Sequence, residues 1–294
     1  MSAHTTASTA ELAGRTAVVT GASRGIGAAT SRALALAGAR VLLVGRSAAT
    51  LKEVAAELPN DPVVIAADLT EPDAHRVIMD QVEEAGGGID ILVNNAGGGG
   101  ATGPAHLLAV AEVDLSWALN LRAPLLLSGL AAERMAARGG GSIVNISSGL
   151  GQVGMPGVSV YSALRAGIES ATRSLAAEWG HGGVRVNTVS PGATRTTLGS
   201  WITGEEAIAR RYLERVPLGR VGEPEETQPW RPDQLLRPRR WRWLRRCGPW
   251  ARWAAAVRPC GESGRGRGSA LPAARPGGGG PRASRARERP SRTR

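Results

Sequence analysis

The chain has 294 residues, 42% of them apolar, which suits one large α/β core and argues against wholesale disorder. It has no run of about 18 apolar residues, no basic-then-apolar segment between Met1 and Arg15, and only two cysteines, Cys247 and Cys260; a membrane span, a secretory signal, a disulfide scaffold and a Cys/His zinc site are therefore not expected. The formal charge of +11 is unevenly placed: residues 1–226 hold 18 basic and 22 acidic residues, a net of −4, whereas 227–294 hold 18 Arg against Asp233, Glu262 and Glu288, a net of +15.

Six short β-rich runs alternate with helical stretches. Thr16–Thr20, Val41–Val44, Val63–Ala66, Ile89–Val93, Ser142–Ile146 and Val184–Val189 read as strands. Most are apolar at consecutive positions, the pattern of strands buried on both faces of a parallel sheet. Helices are predicted near 26–38, 48–58, 72–85, 112–138 and 158–180. Gly38 reads as a C-terminal cap of the first helix. Thr70 reads as the N-cap of the third, with Pro72 inside its first turn. This βαβαβα rhythm predicts an α/β fold: a single-domain, Rossmann-like, doubly wound parallel sheet with right-handed crossovers. Ligands in such sheets bind beyond the carboxyl ends of the strands.

The first strand end carries Thr20-Gly21-Ala22-Ser23-Arg24-Gly25-Ile26-Gly27 before a helix. Glycines at this corner permit a tight turn and close approach of backbone to a pyrophosphate, and the helix start offers unpaired N–H groups. A second cluster, Gly97–Gly100, reads either as part of a site or as a loop.

The Gly-x-x-x-Gly-x-Gly spacing resembles that of the short-chain dehydrogenase/reductase family, and further motifs agree in order. Asn94-Asn95-Ala96-Gly97 follows the fourth strand, and Asn120 stands in Leu119-Asn120-Leu121. Ser148 precedes Tyr161 by thirteen residues, and Pro191-Gly192 closes the sixth strand with Thr196 following. The late segment Leu218–Glu226 also fits, so the resemblance covers about residues 12–226 and extends to 3-oxoacyl-acyl-carrier-protein reductase-like members. It implies an enzyme that moves a hydride between NAD(P) and a carbonyl or secondary alcohol. It implies cofactor contacts from Gly21, Ser23, Arg24, Gly25, Ile26, Gly27, Arg46, Asp68, Leu69, Asn95, Ala96, Gly97, Tyr161, Arg165, Pro191, Gly192, Thr194 and Thr196. Relatives of this kind assemble as homo-oligomers.

An NAD site places an acid at the end of the second strand for the ribose hydroxyls. Here that place holds Gly45 and Arg46, with Arg24 in the glycine turn. Two guanidinium groups and no carboxylate favour NADPH over NADH, because arginine grips phosphate oxygens in a fork. Asp68 reads either as the adenine contact or as a cap of the next helix.

Reducing a ketone leaves negative charge on the carbonyl oxygen, which needs hydrogen bonds and a proton. Tyr161 is the candidate acid, Ser148 a second donor to the same oxygen, and Asn120 a holder of a relay water, as the resemblance implies. His4, His75, His106 and His181 lie in unrelated contexts, and no metal is called for. A free phenol has a pKa of about 10 and gives up its proton more readily beside a cation. The family's Tyr-x-x-x-Lys is here Tyr161-Ser162-Ala163-Leu164-Arg165. The spacing keeps the cation on the tyrosine's helix face. Arginine is bulkier, planar and always charged, so the expectation is a working but impaired or specialised ketoreductase, of acyl or polyketide type among the options. The alternative is a catalytically weak nucleotide-binding regulator. Trp201, Ile202, Ile208 and Tyr212 read as an apolar lid over a small-molecule carbonyl substrate, or as plain helix packing.

Three segments are expected: an N-terminal extension over 1–11, the catalytic domain over 12–226, and a basic low-complexity tail over 227–294. The tail replaces the helix, seventh strand and Asp-Gly-Gly ending of the family. Its Arg/Pro/Gly composition does not build a strand. It reads as a reading-frame shift near Glu226, as an arm whose arginines meet nucleic-acid phosphates and whose tryptophans stack on bases, or as a membrane-surface or partner-binding arm. Without the last strand, a sheet edge stays unpaired, and weaker assembly and stability than in relatives are expected. The location expected is cytoplasmic.

Overall fold

Residues 11–98, 100–200, 210, 213, 214, 216 and 218–227 are described by a computed structural model of the chain. Strands form at Thr16–Thr20 (β1), Arg40–Gly45 (β2), Val63–Ala66 (β3), Ile91–Asn94 (β4), Gly141–Ile146 (β5) and Val184–Val189 (β6). They make one parallel sheet in the order β3-β2-β1-β4-β5-β6. Alternation within each strand serves two cores. Val18, Leu42, Val44, Ile65, Leu92 and Ile143 pack on one face. Ala17, Val19, Val41, Leu43, Ile91, Val93 and Val144 pack on the other. Both faces are buried, which is why the strands read as continuous apolar runs.

Helices Gly25–Leu36 (α1) and Ala48–Ala55 (α2) cover the second core through Ala28, Leu34, Leu51 and Val54. Helices Ala74–Glu84 (α3), Ala123–Ala137 (α5) and Ser159–Trp179 (α6) cover the first through Ile78, Met79, Leu127, Met135 and Leu175. The predicted end of α1 holds: Gly38 N–H bonds Ala35 O at 3.0 Å and Ala39 N–H bonds Leu34 O at 3.0 Å, a Schellman closure.

Three expectations need correction. The third helix starts at Ala74 with Asp73 at its N-cap position, so neither Thr70 nor Pro72 opens it. Thr70 instead turns back on Asp68, its N–H at 2.9 Å and its hydroxyl at 2.7 Å from Asp68 Oδ1. The fourth strand starts at Ile91; the Asp90 carboxylate just before it takes Thr16 N–H at 2.9 Å and Arg15 at 2.8 Å. The predicted helix 112–138 is α4, Val110–Trp117, then a π-helical turn, Ala118–Arg122, then α5. Ala123 N–H reaches Ala118 O, an i→i−5 bond, and Pro124 has no N–H to offer the next carbonyl.

The sheet reverses its order between β1 and β4, and the two carboxyl ends lie side by side there. This is the switch point at which a doubly wound sheet opens a crevice. The predicted lid and the tail lie outside the described residues.

Candidate active site

The β1 end is built from backbone. A Cβ at Gly27 would overlap the Gly21 carbonyl oxygen, so only glycine lets the start of α1 close on the turn. Asn95, one residue past β4, bonds across the switch point: its Nδ2 donates to Thr20 O at 3.0 Å and Gly21 O at 3.1 Å. Thr20 Oγ1 accepts from Asn95 N and Ala96 N, each at 3.0 Å. Asn95 and Ala96 are thereby joined to the glycine turn. Thr20 was not singled out in the sequence, although its place before Gly21 at a buried strand end was a signal.

Arg24 and Arg46 are both exposed on this side. Among the described residues, neither guanidinium is held by a hydrogen bond or an ion pair. The Thr70 N–H bond holds the Asp68 carboxyl below its ordinary range, helped less by the Thr70 hydroxyl and by the positive charge of Arg46 and opposed by partial burial. Asp68 therefore caps its own turn and lies close enough to feel Arg46; Leu69 beside it is buried.

After β6 the chain passes Pro191 and Gly192. Thr194 Oγ1 donates to Gly192 O at 3.1 Å, and Thr194 and Gly222 form a short parallel bridge. Thr196 comes over the glycine turn: a Cβ at Gly25 would stand 3.1 Å from Thr196 Cγ2. Gly25, Arg32, Arg195, Thr196, Thr197, Pro224 and Glu225 line an open cleft of about 340 Å³ at the start of α1. Ser23 and Ile26 are half-buried in the turn itself.

The β5–α6 side is built from side chains. Tyr161 and Arg165 share one face of α6 and are 8% and 4% exposed. The Arg165 guanidinium carbon stands 5.0 Å from the Tyr161 ring centroid, a cation over a π face. Its Nη1 donates to Ile146 O at 2.9 Å, and its Nε is buried without a partner among the described residues. A Cβ at Gly97 would overlap Arg165 Nη2 and stand 3.1 Å from Asn120 Oδ1. Gly97 is thus the space into which the arginine fits. The first residue of the second glycine cluster therefore packs on Arg165 and Asn120.

Asn120 lies in the π-helical turn, 1% exposed. Its Oδ1 accepts from Gly98 N at 3.1 Å, and its Nδ2 donates to Ser116 O at 2.9 Å. Both ends of the side-chain amide are thereby hydrogen-bonded within the protein. Ser116 escaped the sequence reading, and its i−4 spacing was the only clue.

Ser148 and Ser147 part company. Ser147 is 4% exposed, and its hydroxyl lies 2.9 Å from Glu169 Oε1 and 3.1 Å from Arg165 O. Ser148 Oγ accepts from Leu150 N at 3.2 Å, which leaves its own O–H to donate elsewhere. No hydrogen bond to Tyr161 Oη forms among the described residues. Below the site, Asn94 Nδ2 donates to Asn145 Oδ1 at 2.8 Å and Asn145 Nδ2 to Thr172 Oγ1 at 2.9 Å, a buried polar chain that fixes β4, β5 and α6 together.

The arrangement fits a dinucleotide. The glycine cradle has no room for side chains, Arg24 and Arg46 are exposed and without a hydrogen bond or ion pair among the described residues, and a phenol with a cation on its ring lies past the switch point. Fold and site together define a class: an NAD(P)-dependent oxidoreductase on a doubly wound sheet. The pattern of the family described as short chain dehydrogenase matches residues 15–206. The chain is 39% identical over 215 residues to the cis-4-hydroxycyclohexanecarboxylate dehydrogenase of Sinomonas cyclohexanicum, covering 72% of this chain and 85% of that one. It is 36% identical to the 3-oxoacyl-[acyl-carrier-protein] reductase of Aquifex aeolicus, covering 74% and 88%. A structure from Beutenbergia cavernae, attributed to an NAD(P)-dependent gluconate 5-dehydrogenase with NADP at low occupancy, superposes with a TM-score of 0.69 at 35% identity, covering 74% and 87%. The chain belongs to the short-chain dehydrogenase/reductase family and is an oxidoreductase of CH–OH and C=O groups. No described helix is long and apolar enough to cross a membrane.

Proposed function

We propose that the protein reduces the carbonyl of a small molecule at the expense of NADPH. The observation that carries this reading is the pairing at α6: a phenol with a guanidinium 5.0 Å from its ring centre. Ser148, whose Oγ accepts one bond from Leu150 N, keeps its own O–H to donate.

Gly21, Ser23, Gly25, Ile26 and Gly27 would hold the pyrophosphate through backbone N–H groups at the start of α1. Arg24 and Arg46 would grip the 2′-phosphate, and Asp68 with Leu69 would border the adenine. Asn95, Ala96, Gly97, Pro191, Gly192, Thr194 and Thr196 would flank the nicotinamide half. When bound, the nicotinamide supplies the hydride. The protein supplies the rest. Ser148 O–H donates a hydrogen bond to the carbonyl oxygen, where negative charge develops. Tyr161 Oη gives its proton to that oxygen, and the Arg165 cation favours the charge left on Oη. Arg165 keeps its own proton, so Tyr161 is recharged by solvent water. The Aquifex aeolicus relative, named a reductase, supports this direction, as does the absence of a carboxylate at the end of β2, which favours NADPH.

NADPH oxidation measured against a panel of ketones tests the reading. Turnover is expected with NADPH in preference to NADH and only when a ketone is present. NADPH binding without turnover on any carbonyl would overturn it.

A further inference from the structure

Glu169 stands four residues after Arg165 on α6, half-buried, at a place the mechanism does not use. Its Oε1 accepts from Ser190 Oγ at 2.7 Å and from Ser147 Oγ at 2.9 Å. These serines are the last residues before two functional turns: Ser147 precedes Ser148, and Ser190 precedes Pro191-Gly192. Beyond the sheet the two strand extensions are joined by backbone bonds, Ser147 N–H to Val189 O at 2.7 Å and Gly149 N–H to Pro191 O at 2.9 Å. One carboxylate oxygen on α6 therefore ties both extensions to the helix that carries Tyr161 and Arg165. Ser147 Oγ also lies 3.1 Å from Arg165 O, so the same hydroxyl touches the helix backbone at the cation.

We infer that Glu169 is a positioning residue: by accepting both serine hydroxyls it sets Ser148 and the Pro191-Gly192 turn at their working distance from Tyr161. This rests on the ketoreductase reading above and adds a residue to it. The physical argument is one of precision: displacement of a reacting group by about 1 Å costs on the order of 100-fold in rate. Hydrogen bonds to an ionised acceptor are the stronger kind, which suits a group that must hold two loops at once. Glutamine keeps an acceptor oxygen of the same reach; leucine keeps the volume and removes the acceptor.

The test is steady-state kinetics on the full chain with NADPH and a ketone it reduces, beside thermal melts. Glu169→Leu should lower kcat about 10- to 100-fold with a smaller rise in the ketone KM. Glu169→Gln should restore kcat to within about threefold of wild type, a rescue that bulk packing alone does not produce. If Glu169→Leu does not fold, the double variant Ser147→Ala with Ser190→Ala removes the same two bonds with less change of volume, and should show the same loss in kcat. Wild-type kcat in a folded Glu169→Leu or in the double variant overturns the inference, as does a Glu169→Gln as slow as Glu169→Leu. Tyr161→Phe separates the two readings. If it is inactive while Glu169→Leu runs at the wild-type rate, the positioning role alone fails; if it turns over normally, the ketoreductase reading fails and takes this inference with it.

Discussion

The two corners of the site are made by different means. At the β1 corner the ligand-facing surface is backbone: glycines at 21, 25 and 27, N–H groups at the start of α1, and an asparagine that bonds peptide oxygens. At the β5–α6 corner it is side chain: a phenol, a guanidinium, and Ser147 and Ser190 held by the Glu169 carboxylate. The first corner tolerates almost no substitution but has no rotamers to misplace. The second contains a departure from the family's pattern, Arg165, whose guanidinium reaches the Ile146 carbonyl and fills the space over Gly97. On the proposed reading, backbone geometry carries binding here and side-chain geometry carries chemistry.

That contrast can be broken or sharpened. Arg165→Met removes the cation but keeps a long stem. It is expected to lower kcat about 100-fold or more while NADPH still binds at the other corner, as separate fluorescence titration and turnover would show. Gly97→Ala sets a methyl against Nη2. It should cost about 1–3 kcal/mol of stability and displace the arginine, seen as a lower melting temperature together with lower kcat. Arg46→Asp puts a carboxylate at the end of β2. Loss of charge-assisted bonds of about 1.5–3 kcal/mol should move the NADPH-to-NADH preference by about 10- to 100-fold, read as a ratio of kcat/KM values.

Arg165→Lys tests the departure itself. Turnover should rise severalfold if the planar fork is the poorer fit; an unchanged or lower kcat means that the arginine is not an impairment. The smallest effect lies at the 218–227 hook, where Arg220 grips Glu226 at 2.6 and 2.7 Å. The Arg220 bond, with Glu223 N–H, lowers the Glu226 pKa to about 2. A folded pKa below the ordinary 4.5 means stabilisation that is present above about pH 4.5 and lost as the pH falls to about 2. The pair is exposed, so Arg220→Ala should barely change the melt at neutral pH, and any difference from wild type should vanish near pH 2.

How much the sequence revealed follows the same division. The parallel sheet was legible because strands buried on both faces write themselves as unbroken apolar runs, and all six fell within two residues of their places. The glycine corner was legible because backbone-built sites fix residue type and spacing together. Thr70 misled because an Asx-type turn and a helix N-cap use the same residues; only the fold decides which N–H the oxygen meets. The π-helical turn at Asn120 left a single trace, Pro124, whose missing N–H is compatible with an ordinary helix start as well. Glu169 and Ser190 were silent, for contacts between β6 and α6 arise from the packing of elements distant in sequence. The lid and the basic tail lie outside the described residues.

The central claim is that Tyr161 delivers the proton that completes reduction. The most direct measurement is single-turnover NADPH oxidation by Tyr161→Phe with a ketone, beside a titration of NADPH binding. The account predicts cofactor affinity near that of the wild type and a hydride-transfer rate lower by about 100- to 10,000-fold. Transfer at the wild-type rate in the absence of the phenol oxygen would contradict it.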